Sequence, residues 1–205
     1  MITASVPDTR PSAPNPADRG AATVVERPRV LVIGDSITQQ SDPTLHDGLD
    51  LAYDLTVWGI GGSRADEHVH DDELFRAVAP DQVIIDLGTN DVLQGTPPDQ
   101  TIAALTQLGA ACGAAQAIYF VTVTEGVFGE GSPVLLARST DLNERIQAMA
   151  AAHGWGVIPW HELVSDAIAA GEPDGPITSD TIHPTEVGRR LFAAACARAL
   201  RARCP

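Results

Sequence analysis

Five short apolar runs, each closed by glycine or a turn residue, constrain what this chain can fold into. They are RVLVIGD (29–35), DLTVWGIGG (54–62), DQVIIDLGTND (81–91), AIYFVTVTEG (117–126) and the shorter GWGVIPW (154–160). The runs are rich in β-branched residues and show little polar alternation, so they read as strands buried on both faces. A sheet buried on both faces needs helices above and below it. Helix-length segments fall where they are needed, at about 63–78, 98–112, 133–153, 161–170 and 184–201. Several carry Pro at the entry (Pro98, Pro133, Pro184) and Gly just past the exit (Gly113, Gly154, Gly171), the asymmetry expected of helix ends. The alternating order predicts an α/β sandwich around a parallel sheet of these five strands, with right-handed crossovers.

In such a sheet, ligands bind outside the carboxyl ends of the strands. Gly34-Asp35-Ser36, Gly59 to Ser63 and Gly88 to Asp91 all follow strands at that edge. With 205 residues, one domain with a full core is expected, over residues 28–205. Residues 1–27, rich in Pro, Ala, Asp and Arg, read as a disordered leader. The leader lacks the apolar stretch of a signal peptide, and no run is long enough to span a membrane. A cytoplasmic protein is the expectation. No internal repeat is visible.

Charge and composition narrow the chemistry. The formal net charge is −14, which repels phosphate backbones and anionic lipid heads, so neither nucleic acid nor a membrane surface is an expected partner. All 13 basic residues are Arg. Without lysine there is no Schiff-base chemistry and no P-loop. Cys112, Cys196 and Cys204 are spaced for neither zinc nor a disulfide framework, which suits a reducing compartment. Cys112 and Cys196 read as small buried hydrophobes.

Ser36, met alone, is an ordinary turn residue after a strand. A serine nucleophile needs a base, and the base needs a carboxylate to orient it. Asp180-Thr181-Ile182-His183 places an acid one turn before a histidine, and Pro184 keeps His183 in a loop ahead of the last helix. The other acid-x-x-His, Glu67 to His70, lies among Asp66, Asp71, Asp72 and Glu73 and reads as a solvated polar face. His68 and His70 are two apart and face different sides of a helix, so a shared metal is not expected. Ser63, in GGSRA, just misses the nucleophile-elbow pattern, with Ala65 at the final Gly. Gly59 to Arg64 similarly misses a dinucleotide fingerprint, with Arg64 at its third Gly. In GTND (88–91), Asn90 reads either as a capping residue or as an oxyanion donor.

Taken in order, these blocks resemble the GDSL/SGNH hydrolase superfamily across roughly Arg29 to Arg203. The resemblance implies the SGNH hydrolase fold, a flavodoxin-like three-layer α/β/α sandwich with a five-stranded parallel sheet, and assigns roles. GDSIT makes Ser36 the nucleophile, whose N–H also donates to the oxyanion. WGIGGSRADE supplies a second donor from the Gly62 N–H, with Gly59 as the fallback. GTND supplies the Asn90 side chain as a third. DTIHP makes His183 the base and Asp180 its partner. Two positions depart from the family pattern: TQQSDP lacks the Gly often found soon after the serine, and TVWG replaces an Asn often found early in the second block.

The implied reaction is hydrolysis of a carboxylic ester through an acyl-enzyme, with no metal and no organic cofactor. A short acyl or acetyl ester of a sugar or small metabolite is the expected substrate. The same residues are compatible with an acyltransferase, a thioesterase or a non-catalytic binding module. Loops at about 41–50, 92–97 and 125–132 are expected to line the pocket, with Val127 and Phe128 near an acyl chain.

Overall fold

The computed structural model describes residues 26–124, 132–180 and 182–202. Five strands form one parallel sheet: β1 (Arg29–Gly34), β2 (Asp54–Gly59), β3 (Gln82–Asp86), β4 (Ala117–Val121) and β5 (Gly156–Ile158), in the order β2-β1-β3-β4-β5. This is the flavodoxin-like order, so the expected fold class holds. The helices are α1 (Ser36–Leu49), α2 (Asp72–Val78), α3 (Thr89–Gln94), α4 (Pro98–Ala111), α5 (Pro133–His153), α6 (Trp160–Ala169) and α7 (Glu186–Ala202). A 3₁₀ turn, Ala65–His68, precedes α2.

The period-two geometry of a strand sends alternate side chains to opposite layers. Val30, Val32, Ile84, Tyr119, Val121 and Ile158 face one side and pack with Leu45 and Leu49 of α1, Trp160 and Val164 of α6, and Phe192 and Leu200 of α7. Leu31, Ile33, Val83, Ile85, Ile118 and Phe120 face the other, against Phe75, Val92, Leu105, Leu108, Leu142 and Ile146 of α2 to α5. The continuous apolar runs are thus two interleaved faces, each with its own helical layer.

Three segments differ from the sequence expectation. Residues 41–50, expected as a pocket loop, fall almost entirely within α1. Its inward face is Ile37, Ser41, Leu45 and Leu49, spaced by four as a helix requires, but Ser41, Pro43 and Gly48 disguise the pattern. The expected helix at 63–78 is broken into the 3₁₀ turn and α2. Residues 89–94, expected as loop, wind into α3, with Gly88 at φ 124° as its N-cap, a conformation open to glycine. The segment expected to line the pocket at 125–132, with Val127 and Phe128, lies outside the described residues except for Ser132, as do residues 1–25 and Cys204. Cys112 and Cys196 are buried and free.

Strand β1 is followed by β2 on one side, and β3 then pairs on its other side. The direction of winding changes between β1 and β3, and the crevice beyond their carboxyl ends is where such sheets bind ligands. Ser36 follows β1, and α3 follows β3 with Gly88 at its N-cap.

Candidate active site

The turn after β1 is held from below. Asp35, fully buried, caps α1 by accepting from the Ile37 N–H at 2.9 Å. Its N–H donates to the Asp86 carbonyl at 3.3 Å. Gly34 is forced by packing: a Cβ there would lie 2.2 Å from Thr38 Oγ1 and 2.7 Å from the Asp86 carbonyl. Ser36 becomes the first residue of α1, where a backbone N–H has no acceptor within the helix, and its side chain is half-buried.

His183 approaches from a loop closed by the Thr178–Pro184 bridge and by Ser179 N–H donating to the His183 carbonyl at 2.9 Å. The Asp180 carboxylate organises this loop. Its Oδ1 accepts from the His183 N–H at 2.8 Å and the Ile182 N–H at 3.2 Å. Its Oδ2 lies 2.6 Å from His183 Nδ1, and His183 Nε2 lies 2.9 Å from Ser36 Oγ. The slight burial of Asp180 pushes its pKa upward, but the bonds from the His183 side chain, the His183 N–H and the Ile182 N–H outweigh it and hold it at about 2. An ionised Asp180 accepts Nδ1–H, which leaves the Nε2 lone pair facing the serine hydroxyl.

Asn90 sits in the first turn of α3, nearly buried, and its Nδ2 donates to Asp35 Oδ2 at 3.0 Å. One amide hydrogen is thereby fixed, and the direction of the other is set with it. Asp35 thus holds both the Ile37 N–H, one residue past Ser36, and the Asn90 amide. Burial first, and then the charge of nearby Asp86, raise the Asp35 pKa well above the usual carboxylate range.

The loop after β2 comes up beside the serine: a Cβ on Gly61 would lie 3.8 Å from Ser36 Cβ. Gly62 adopts φ 82° with open space where a side chain would project. Gly59 is different, since a Cβ there would lie 2.4 Å from the Gln39 amide nitrogen; it is a packing glycine between β2 and α1. The Gly62 carbonyl accepts from Gln94 Nε2 at 3.1 Å, and Gln94 Oε1 accepts from Arg64 Nη1 at 2.9 Å. The Ala65 N–H donates to Asp91 Oδ2 at 3.0 Å, while Thr101 Oγ1 donates to Asp91 Oδ1 at 3.0 Å. Gln94, Arg64 and Asp91 were not singled out for these roles by sequence, because polar residues on a short loop and helix give no periodic signal.

One expectation is corrected. His68 is not part of a solvated face; it is 1% exposed, with Nε2 2.8 Å from Ser63 Oγ and Nδ1 2.8 Å from Asp71 Oδ2. The dense acids around it in sequence masked the inward turn. No group of three metal-ligating side chains occurs among the described residues. No helix among them is long and apolar enough to cross a membrane. Surface grooves of about 630 Å³ beside α6 and α7 and about 530 Å³ under α2 are lined by neither Ser36 nor His183.

The arrangement can polarise a hydroxyl through an imidazole held by a carboxylate, beside oriented N–H donors. The sequence model of the GDSL-like Lipase/Acylhydrolase family matches residues 32–191. No curated relative matches significantly. Among solved structures, the chain is similar to LAE5, an alpha/beta hydrolase from the metagenome of Lake Arreo, at 17% identity, TM-score 0.72, covering 88% of this chain and 98% of that one. A lipolytic protein of the G-D-S-L family from Veillonella parvula matches at 20% identity, TM-score 0.71, covering 84% and 97%. Axe2, an acetylxylan esterase from Geobacillus stearothermophilus, matches at 18% identity, TM-score 0.71, covering 85% and 94%.

Proposed function

Because the chain belongs to the GDSL-like lipase/acylhydrolase family of carboxylic ester hydrolases, we propose that Ser36, His183 and Asp180 are its nucleophile, base and orienting acid. The observation that carries this reading is the continuous chain from Asp180 Oδ2 to His183 at 2.6 Å and on to Ser36 Oγ at 2.9 Å. His183 takes the hydroxyl proton as Ser36 attacks the ester carbonyl, and Asp180 stabilises the imidazolium. His183 then protonates the leaving alkoxide. Water, deprotonated by the same imidazole, releases the acid from the acyl-enzyme.

The tetrahedral oxyanion is received by the N–H of Ser36, the N–H of Gly62 and the free amide hydrogen of Asn90. The tight packing of Gly59 against α1 supports Gly62 over Gly59 as the second donor. Each such donor is worth about 10²–10³ in turnover. Residues 28–205 form the hydrolase domain in this reading.

For substrate, a short acyl or acetyl ester of a sugar or small metabolite is favoured. His183 and Asp180 keep 28% and 53% of their side-chain surface exposed, which suits a small acyl group on a polar alcohol better than a long buried chain. The fold similarity to an acetylxylan esterase points the same way. The test is a hydrolysis screen over acyl length and leaving group, with Ser36→Ala as control and a fluorophosphonate to map the nucleophile. Loss of turnover in a folded Ser36→Ala variant and an adduct on Ser36 are expected. Normal turnover in that variant, or an adduct on Ser63, overturns the assignment.

A further inference from the structure

We propose that Ser63, His68 and Asp71 form a clasp, buried at Ser63 and His68 and partly exposed at Asp71, that positions the Gly62 N–H, a role that rests on Gly62 being an oxyanion donor. The loop from Ile60 to Ser63 is a turn closed by the Ser63 N–H donating to the Ile60 carbonyl at 3.2 Å. Its third residue, Gly62, has φ 82°, and Gly61 is not among the positive-φ residues. This is the type II pattern. Types I and II differ in the orientation of the central peptide, here the one between Gly61 and Gly62. Its N–H is the proposed donor, so turn type decides where that N–H points.

The flanks of the turn are fixed from one side by the clasp. Ser63 Oγ lies 2.8 Å from the Ile60 carbonyl and 2.8 Å from His68 Nε2. His68 is itself held by Asp71 at 2.8 Å. Asp71 occupies the N-cap of α2 but makes no side-chain cap bond; its carboxylate serves His68 instead. The proton inventory is consistent in either charge state. With Nδ1–H given to Asp71, a neutral His68 accepts the Ser63 hydroxyl at Nε2. A protonated His68 donates there, and the hydroxyl turns to the Ile60 carbonyl. The Ser63–His68 link survives both. Although the three residues mimic a Ser-His-Asp relay, Ser63 is 4% exposed and no substrate carbonyl can reach it. They position a donor and do not attack.

The test uses the full chain, a short p-nitrophenyl ester, and a trifluoromethyl ketone whose adduct mimics the oxyanion. His68→Phe removes both bonds at similar volume, Ser63→Ala removes one hydroxyl, and His68→Gln keeps an amide facing Ser63. His68→Phe is expected to lower kcat about 10–100-fold, per fluorophosphonate-titrated site, with KM little changed. The ketone should weaken by a matching factor, Ser63→Ala, which severs both hydroxyl bonds to the turn and the ring, should lose at least as much, and His68→Gln should recover most of the loss. A merely structural role would reduce the number of titratable sites but leave kcat per site and ketone affinity intact, and that result overturns the clasp. Asn90→Ala separates the two readings. If it weakens the ketone while His68→Phe does not, the clasp fails and the oxyanion site stands. If neither moves ketone affinity, the site reading beneath the clasp fails.

Discussion

Asp86→Asn should flatten the dependence of stability on pH. Asp86 ends β3 beneath the Ser36 turn, 5% exposed, and the Thr38 hydroxyl donates to its Oδ2 at 2.8 Å. Burial raises its pKa from the ordinary 3.8 to about 6, with the Thr38 bond opposing. Below pH 3.8 the carboxyl is protonated in both folded and unfolded chains. As pH rises toward 6 the unfolded chain releases the proton while the folded one keeps it, so stability falls; above about 6 the loss is complete. A shift of about two pH units at ~1.4 kcal/mol each makes this ~3 kcal/mol. The amide does not titrate. Because about 0.5 kcal/mol of this is already lost by pH 4, the stability difference, variant minus native, should grow by ~2.5 kcal/mol between pH 4 and pH 7.5. Removing the Asp86 charge also relieves Asp35, whose pKa it helps to raise, and this adds with the same sign. Urea denaturation followed by circular dichroism at several pH values measures the difference, and any fixed cost of burying an amide cancels. Parallel curves for the two proteins across that window would show that Asp86 carries no such penalty.

Other perturbations test the supports of the site. Asn143 accepts the Val123 N–H and donates to the Val123 carbonyl, both at 2.7 Å and buried; Asn143→Leu strands both groups and should cost roughly 2–4 kcal/mol in chemical denaturation. Gly34→Ala drives a Cβ against Thr38 and the Asp86 backbone and should lose about 1–3 kcal/mol, read as a lower melting temperature. Asp180→Asn should keep the fold, since its carboxylate is half exposed, yet lower kcat by about 10³–10⁴ through the wrong His183 tautomer. A near-native rate in that variant removes Asp180 from the mechanism.

Much of the fold could be read directly because strand and helix signals are local. The interleaved faces of RVLVIG and QVIID, the Pro entries and the Gly exits each act within a few residues. Helix α1 was hidden because its inward stripe includes Ser41 and its body includes Pro43. Its helicity is secured by Leu45 and Leu49 packing against Phe192 and its neighbours, partners more than 140 residues away in the chain. His68 misled for a related reason. Its flanking acids suggest water, whereas the 3₁₀ turn swings the ring toward Ser63, five residues back.

Residue types and short spacings along the chain suffice for the strand-helix alternation, the lack of lysine chemistry, and the one-turn spacing that lets Asp180 hold His183. Those properties depend on residue type and on separations shorter than a helical turn. That Ser36 and His183, 147 residues apart, meet at 2.9 Å is a product of the assembled fold. The same fold decided that Gly62 keeps its backbone open while Gly59 is packed shut. The physical reason is the sheet order: placing β1 between β2 and β3 brings the ends of distant segments to one edge, and no local pattern encodes that distance.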